Sequence, residues 1–291
     1  MASTGSIGAI QLPGLFAVGP PRTATTWLDR VLRRSSSVSL PERIKETNFF
    51  GRDFWRGLTW YQFHFRSCPP GRLIAEICPQ YFDHPQARER IAFHVPSCRI
   101  VCTLRDPVQR LHSHYRLLRC AGWLGPVGLE EALRLHRQWI GPGNILGASM
   151  YAAHLKGWQD KFGKENVLVL LNDDLERNSQ KYLDQLCAFA GIPAIELNDS
   201  PVGARVNART RAPRSPRLAR LGRHLRRFLL TRRLYWLNES LEALWEFCSG
   251  GGEEFGPLDS SNESRLRAFF RPDIEALEQL IGRDLSAWKQ R

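Results

Sequence analysis

Short apolar runs alternate along the first two-thirds of the chain with segments of helical periodicity. The runs have the length of buried strands and cover residues 15–18, 73–78, 100–104 and 167–171. A strand that is buried on both faces is apolar throughout, and parallel neighbours are joined by helices that cover those faces. The alternation therefore predicts an α/β fold with a central parallel β-sheet flanked by helices. We expect a single domain over residues 1–291, with residues 1–13 as a leader.

Composition excludes several classes of protein. The chain has 291 residues, of which 43% are hydrophobic and 24% charged, as in ordinary globular proteins rather than disordered ones. No apolar run approaches the ~20 residues of a membrane helix, and the first twelve residues lack the features of a signal peptide. We therefore expect a cytoplasmic protein without a transmembrane segment. The seven cysteines show no zinc-binding spacing, so we expect buried thiols and no metal.

The net charge of +12 comes from one part of the chain. Residues 201–238 contain eleven arginines and no acid, whereas the rest carries 30 basic and 29 acidic residues. Within this stretch the apolar residues recur at helical spacing, which predicts an amphipathic basic helix in the domain. They are Leu218, Leu221, Leu225, Phe228 and Leu229. Such a stretch suits an anionic ligand, a nucleic-acid backbone or a membrane surface.

A first candidate anion site follows the first strand, where the sequence V-G-P-P-R-T-A-T-T-W-L covers residues 18–28. It predicts a strand, a tight loop and the start of a helix, whose exposed amide groups can bind a phosphate. A nucleotide triphosphatase P-loop has G-x-x-x-x-G-K-[ST], but here Ala24 and Thr25 replace the second Gly and the Lys. The positive charge of this loop is instead on Arg22, three residues before the position of the P-loop lysine. An ordinary capped helix would have the same pattern.

A second candidate anion site follows the strand at residues 100–104. Arg105 would lie at the carboxyl end of that strand, where open α/β sheets bind ligands. Ser113 would follow about two helical turns later. A guanidinium and a hydroxyl can together bind a phosphate, although an Arg105–Asp106 pair could instead cap the helix.

Together, R-[ST]-x-T-T-W-L and L-R-D-P-x-x-R-x-x-S-x-Y resemble the sulfotransferase superfamily over roughly residues 16–193. The resemblance implies a fold similar to the P-loop kinases and 3′-phosphoadenylyl sulfate (PAPS) as the donor, without a metal. It implies that Arg105 and Ser113 hold the 3′-phosphate. The 5′-phosphosulfate would be held by Arg22, Thr23, Ala24, Thr25, Thr26 and Trp27. The family's usual loop is K-[ST]-G-T-T, so Arg22 replaces a Lys and Ala24 replaces a Gly that could adopt a positive φ.

The segment K-E-T-N-F-F at residues 45–50 resembles the K-E-x-x-F-F of the glycosaminoglycan and related carbohydrate sulfotransferases. In these enzymes the Glu is the catalytic base, so the resemblance implies that Glu46 accepts the acceptor proton. Arg22 would stabilise charge on the leaving group. A surface carboxylate above a packed aromatic pair is the alternative.

Other residues are implied by looser matches. E-I-C-P-Q-Y-F at residues 76–82 looks like the family's E-K-[ST]-P-x-Y-F, with Ile77 in place of the Lys. Glu76 and Tyr81 would bind the acceptor, Glu76 could instead orient Arg22, and a solvated carboxylate at the strand edge is the alternative. His114 would lie on the helix surface or toward the acceptor. Arg209 and Arg211 occupy the place of the family's late basic loop, which would close over the nucleotide.

We therefore expect a PAPS-dependent sulfotransferase whose acceptor is a hydroxyl or amine of a small molecule or carbohydrate. The missing signal peptide favours a metabolite of bacterial secondary metabolism. One alternative is a nucleotide kinase or triphosphatase, which needs the P-loop lysine. Another is a non-catalytic binder of nucleic acid or membrane surfaces through residues 205–233. We do not expect a nucleic-acid partner.

Overall fold

A five-stranded parallel sheet forms the centre of the molecule. The computed structural model describes residues 12–135, 144–197, 211–232 and 251–290, with Leu237, Leu241 and Leu244. The strands are β1 (Leu15–Ala17), β2 (Val38–Ser39), β3 (Leu73–Ile77), β4 (Arg99–Leu104) and β5 (Val167–Leu171). Their order is β2-β3-β1-β4-β5, and every pair in this sheet is parallel. The predicted parallel sheet is confirmed. Strand β2 was not predicted, because it has only two residues.

Helices connect the strands and cover both faces of the sheet. The first six are α1 (Thr25–Leu32), α2 (Leu58–Gln62), α3 (Pro85–His94), α4 (Pro107–Cys120), α5 (Leu129–Leu135) and α6 (Tyr151–Phe162). The later ones are α7 (Asn172–Arg177), α8 (Ser179–Ala190), α9 (Pro216–Thr231), α10 (Ser260–Ile281) and α11 (Ser286–Gln290). Helices α1 and α8 pack on one face, and α3, α4, α6 and α10 pack on the other. The helices flanking the sheet are thus also confirmed.

Strand β1 shows how the sequence divides the core between these faces. Leu15 and Ala17 belong to the cluster with α1 and α8, whereas Phe16 and Val18 belong to the opposite cluster. All four are at most 2% exposed, because a central strand with helices above and below has no polar side. The continuous apolar run is the consequence of this double burial.

Helix α8 has a capping residue at each end, and the described thiols lie mostly in the core. Asn178 caps α8 by accepting a hydrogen bond from the Lys181 amide at 2.9 Å, and Gly191 closes the helix with a φ of 68°. Five of the six cysteines in the described residues are buried, and Cys68 is partly exposed. The expected burial of the thiols is confirmed for those positions.

A second, antiparallel pair of strands follows the main sheet. It consists of β6 (Arg211–Pro213) and β7 (Gly251–Glu254). The Cys120 thiol at the end of α4 donates to the Arg211 carbonyl at 3.1 Å, which attaches β6 to the main body. Helix α9 begins three residues after β6, so the predicted amphipathic basic helix is confirmed. No helix within the described ranges is long and apolar enough to cross a membrane.

Candidate active site

The loop between β1 and α1 is held tightly against β4. A Cβ atom on Gly19 would collide with the main chain and side chain of Thr103, so only glycine fits there. The Thr23 hydroxyl lies 2.7 Å from the Pro20 carbonyl oxygen and 2.7 Å from the Thr103 hydroxyl. The Thr23 side chain is fully buried and serves the loop itself. What the loop can offer a ligand is its main chain and the residues on either side.

Helix α1 begins without a side-chain cap. Its N-cap residue is Ala24, which has a left-handed φ of 66° and no side-chain acceptor, and its first turn contains no acid. Other helices in the described residues do have carboxylate caps: Asp106 for α4 and Asp259 for α10. Helix α6 is capped by a residue of another helix, because the Asp273 carboxylate on α10 accepts a hydrogen bond from the Tyr151 amide at 2.7 Å. The unpaired amides and the dipole of α1 therefore favour an anion at this point.

Two cations flank the start of α1. Arg22, with a φ of 81°, donates from Nε to the Ser113 hydroxyl at 2.8 Å. The Lys45 ammonium donates to the Thr26 hydroxyl at 3.3 Å and to Glu46 Oε1 at 2.8 Å. The structure thus brings together residues from three separate motifs. No role was predicted for Lys45, although it stands beside Glu46 in the segment that resembles K-E-x-x-F-F.

Glu46 lies at the open side of this cluster. Its second oxygen, Oε2, accepts a hydrogen bond from the Gln80 amide at 2.6 Å. Its side chain is 27% exposed, so solvent or a substrate can reach it. Gln80 stands at the variable position of E-I-C-P-Q-Y-F, and only the parallel pairing that brings β3 beside β1 shows that it can reach Glu46. The sequence alone carried no signal for it.

Glu76 is placed differently from our expectation. It is fully buried, so the alternative of a solvated carboxylate at the strand edge is wrong. Its carboxylate accepts hydrogen bonds from Thr47, from the Tyr61 hydroxyl at 2.6 Å and from the Tyr81 hydroxyl at 3.1 Å. Burial raises the pKa of Glu76 to about 7, against the opposing effect of these three donors. Glu76 therefore lies inside the protein, where an acceptor cannot contact it.

The hydroxyls around Glu76 also hold the segment that carries Glu46. The Thr47 hydroxyl accepts from the Phe49 amide at 3.1 Å, and the Tyr81 hydroxyl accepts from the Phe50 amide at 3.1 Å. Tyr81 is itself completely buried, so its predicted contact with the acceptor is not supported. This polar cluster of Thr47, Tyr61, Glu76 and Tyr81 fixes the backbone on the C-terminal side of Glu46.

Arg105 remains a candidate for binding an anion. The Tyr151 hydroxyl donates to the Arg105 carbonyl at 2.8 Å, which fixes its main chain. Its guanidinium has no hydrogen-bond or ion-pair partner among the described residues. Asp106 caps α4 through the Val108 amide at 2.9 Å, but the cation that pairs with it is Arg267, at 3.3 Å. The alternative, in which Arg105 pairs with Asp106 to cap the helix, is therefore wrong, because the arginine that pairs with Asp106 is Arg267.

The second arginine of the motif, Arg110, lies beneath the loop. It is completely buried and donates to the Ser149 hydroxyl at 2.6 Å and to the Pro21 carbonyl at 3.4 Å. His114 Nδ1 lies 3.1 Å from Arg110 Nη1. His114 is 1% exposed, so our expectation of a helix-surface position is wrong and acceptor contact is not supported. The histidine belongs to the buried network that supports the loop.

The remaining predicted residues take varied positions. The Thr25 side chain is buried, and the Trp27 ring packs on Tyr182 with centroids 5.7 Å apart. These residues can therefore offer an anion their main-chain amides. Arg211 is exposed at the start of β6, and Arg209 lies outside the described residues. No group of three or more metal-binding side chains occurs within the part of the chain that the structure describes.

The chain is similar in sequence to known proteins. The sequence pattern of the sulfotransferase domain family matches residues 12–202. The chain is 27% identical over 204 residues to a bifunctional heparan sulfate N-deacetylase/N-sulfotransferase 1 of Caenorhabditis briggsae, covering 63% of this chain and 23% of that protein. It is 23% identical to the mouse N-deacetylase/N-sulfotransferase 4, covering 96% of this chain and 31% of that protein. The chain thus spans only a quarter to a third of these curated relatives.

A solved structure supports the fold. The crystal structure of a sulfotransferase from Alicyclobacillus acidocaldarius superposes with a TM-score of 0.71 at 24% sequence identity. The match covers 96% of this chain and all of that one. The sheet with its flanking helices is therefore an arrangement already known from experiment.

The left-handed conformation at Ala24 predicts an unusual effect of glycine. An alanine in this region costs about 1–2 kcal/mol, which exceeds the entropy that glycine loses on folding. We expect Ala24→Gly to keep or raise the free energy of unfolding, measured by urea denaturation. The matched control is Ala188→Gly on the exposed side of α8, which should lose about 1 kcal/mol. An equal loss in both variants would contradict the positive φ at Ala24.

The raised pKa of Glu76 predicts a pH-dependent stability. Between pH 4.5 and about 7 the folded protein binds more protons at Glu76 than the unfolded chain does. The contribution of Glu76 to the free energy of unfolding should therefore be complete below pH 4.5 and fall by roughly 3 kcal/mol as the pH rises through 7. Urea denaturation of the wild type and Glu76→Gln at several pH values measures this difference. A difference that stays constant with pH would show that Glu76 is not protonated in this range.

Proposed function

The chain belongs to the sulfotransferase domain family, and from this we infer that it transfers a sulfuryl group from PAPS to a hydroxyl or amine of a carbohydrate-type or small-molecule acceptor. The observation that carries this proposal is the uncapped start of α1, with Arg22 and Lys45 on either side and Glu46 next to Lys45. An anion site beside an accessible carboxylate suits a transfer in which the protein stabilises a departing anion and accepts a proton.

The described residues fit the donor at both of its charged ends. The amides at the start of α1, with Arg22 and Lys45, would hold the 5′-phosphosulfate. Ser113, hydrogen-bonded to Arg22 at 2.8 Å, and Arg105 would hold the 3′-phosphate. Arg211, and Arg209 outside the described residues, would approach the nucleotide from the late basic loop. A kinase or triphosphatase is less suited, because the loop has Thr25 where those enzymes have a lysine.

Two parts of the site share the reaction: the loop before α1 binds the donor, and Glu46 accepts the proton. Bound PAPS supplies the sulfuryl group, whose bond to the 5′-phosphate oxygen breaks as a bond to the acceptor oxygen or nitrogen forms, leaving adenosine 3′,5′-bisphosphate. Arg22 and the amides of α1 stabilise the negative charge that grows on the departing phosphate. Glu46 takes the acceptor proton onto its carboxylate. Gln80 and Lys45 hold the two oxygens of that carboxylate in place.

Support for the acceptor comes from the relatives and from Glu46. The named relatives are heparan sulfate N-sulfotransferases, which favours a sugar amine or hydroxyl as the acceptor. Glu46 is partly open to solvent, as a base that meets a separate substrate must be. A metabolite in a bacterial cytoplasm stays a prediction from the sequence.

Replacement of the base tests this assignment. Glu46→Gln keeps the shape of the side chain and one acceptor oxygen but cannot take up a proton, so we expect turnover to fall by about 10²–10⁴. The affinity for adenosine 3′,5′-bisphosphate, measured by calorimetry, should stay within a few-fold of wild type. Glu131→Gln, an exposed carboxylate on α5, is the matched control and should keep full turnover. Retained activity in Glu46→Gln would remove Glu46 from the role of base.

The 3′-phosphate site predicts a preference among nucleotides. We expect adenosine 3′,5′-bisphosphate to bind about ten- to a hundred-fold more tightly than AMP, since charged hydrogen bonds hold the extra phosphate. Calorimetry with Arg105→Ala should show the preference reduced while the affinity for AMP stays nearly unchanged. Ser113→Ala should also reduce the preference, although it removes a hydrogen bond from Arg22 as well. Equal affinities for the two nucleotides in the wild type would exclude this assignment.

A further inference from the structure

Helix α9 exposes an apolar stripe to solvent. Leu218, Leu221, Leu225 and Phe228 are spaced by three, four and three residues, so they follow one line along the helix. Their exposed fractions lie between 42% and 64%. A helix of a globular protein normally turns such a stripe toward the core. In α9 the residues that face the protein are instead Ala219 and Leu229, both almost completely buried.

A basic stripe runs beside the apolar one. Arg217, Arg220, His224 and Arg227 repeat the same spacing one residue earlier, which places them about 100° around the helix. All four are exposed. Residues 211–232 contain eight arginines and no acid, and no ion pair joins Arg217, Arg220 or Arg227 to an acid of the described chain. Their positive charge is therefore not neutralised by the described protein.

The helix is held at its inner side, so its outer side is presented in a fixed orientation. A Cβ on Gly122 would come within 2.6 Å of the Arg220 amide nitrogen, which shows how closely α9 approaches the turn after α4. The Arg223 guanidinium lies over the ring of Trp123, 4.3 Å from its centre. The two stripes thus form a continuous surface on one side of a supported helix.

The chemistry of this surface selects its partner. A nucleic acid or a polyanionic sugar would pair with the arginines but would leave four large apolar side chains in water. A second copy of the chain could cover the apolar stripe, but it would bring two clusters of arginines together. An anionic lipid surface matches both stripes, since acyl chains accept the leucines while lipid phosphates face the arginines. We propose that α9 docks this protein on anionic lipid membranes, with Leu221 and Phe228 inserted and the arginines at the phosphates.

Docking through α9 would place the enzyme at a membrane surface and would leave the chemistry of the reaction unchanged. Helix α9 follows β6, whose Arg211 carbonyl accepts from Cys120 on α4, the helix that also carries Ser113. A membrane bound by α9 would therefore be attached through the same helix that holds part of the donor site. The proposal does not depend on the identity of the acceptor or on the role of Glu46.

Vesicle co-sedimentation of the full chain tests the proposal. The probes are vesicles of pure phosphatidylcholine and vesicles with about 30% phosphatidylglycerol, at an ionic strength of about 0.1 M. We expect at least about tenfold tighter binding to the anionic vesicles, weakened by added salt. Leu221→Gln with Phe228→Gln should lower this binding by at least about tenfold. Arg217→Gln with Arg220→Gln and Arg227→Gln should remove the preference for anionic lipid.

Matched controls separate insertion from loss of structure. Phe93→Gln with Leu135→Gln replaces two exposed apolar residues on other helices and should bind vesicles as the wild type does. All α9 variants should keep their affinity for adenosine 3′,5′-bisphosphate, and Glu46→Gln should keep its vesicle binding. Failure of the nucleotide assays alone would thus count against the proposed function and not against docking.

Three results would overturn the proposal. The first is equal binding of the wild type to both kinds of vesicle. The second is vesicle binding that survives the Leu221→Gln and Phe228→Gln changes, together with equally tight binding of heparin or DNA, because the surface would then recognise any polyanion. The third is a mass in light scattering that corresponds to a dimer and becomes monomeric in the same variant, because a second copy would then cover the stripe.

Discussion

The contact between Gly19 and Thr103 is the constraint on which the rest of the site depends. It lets the chain leave β1 directly against β4, without a side chain between them. The loop then enters α1 at Thr25, and the Thr23 hydroxyl lies 2.7 Å from that of Thr103. As a result the uncapped amides of α1 lie at the carboxyl edge of the sheet, where Arg105 follows the last residue of β4. Two candidate anion sites at one edge of the sheet thus follow from one close approach of the backbone.

Much of the fold was predictable because its causes are local. Strands buried on both faces have continuous apolar sequences, and the ends of α8 are marked by Asn178 and Gly191. The short strand β2 and the pair β6–β7 were not predictable, since their pairing depends on partners far away in the sequence. A strand of two residues has too few side chains to show any period.

The candidate site was predictable only in part, and the reason is again distance along the chain. The order of the motifs indicated Arg22, Glu46, Arg105 and Ser113, but not that Arg22 and Ser113 touch. Burial misled us at Glu76, because a carboxylate at a strand end is usually solvated. Its burial is explained only by three hydroxyls that donate to it, of which Thr47 and Tyr61 come from other segments. Such compensation cannot be read from one segment at a time.

The polar cluster of Thr47, Tyr61, Glu76 and Tyr81 has a consequence for how this sequence can change over evolutionary time. Loss of any one hydroxyl would leave a buried carboxylate short of a donor, and loss of the carboxylate would leave three hydroxyls short of an acceptor. Each single replacement is therefore costly, and a joint replacement by apolar residues also requires new acceptors for the Phe49 and Phe50 amides. Descendants of this sequence should keep the four residues together or exchange them together. The neighbouring Glu46 lies outside the cluster, so replacing it does not disturb these hydrogen bonds and selection can act on it through catalysis.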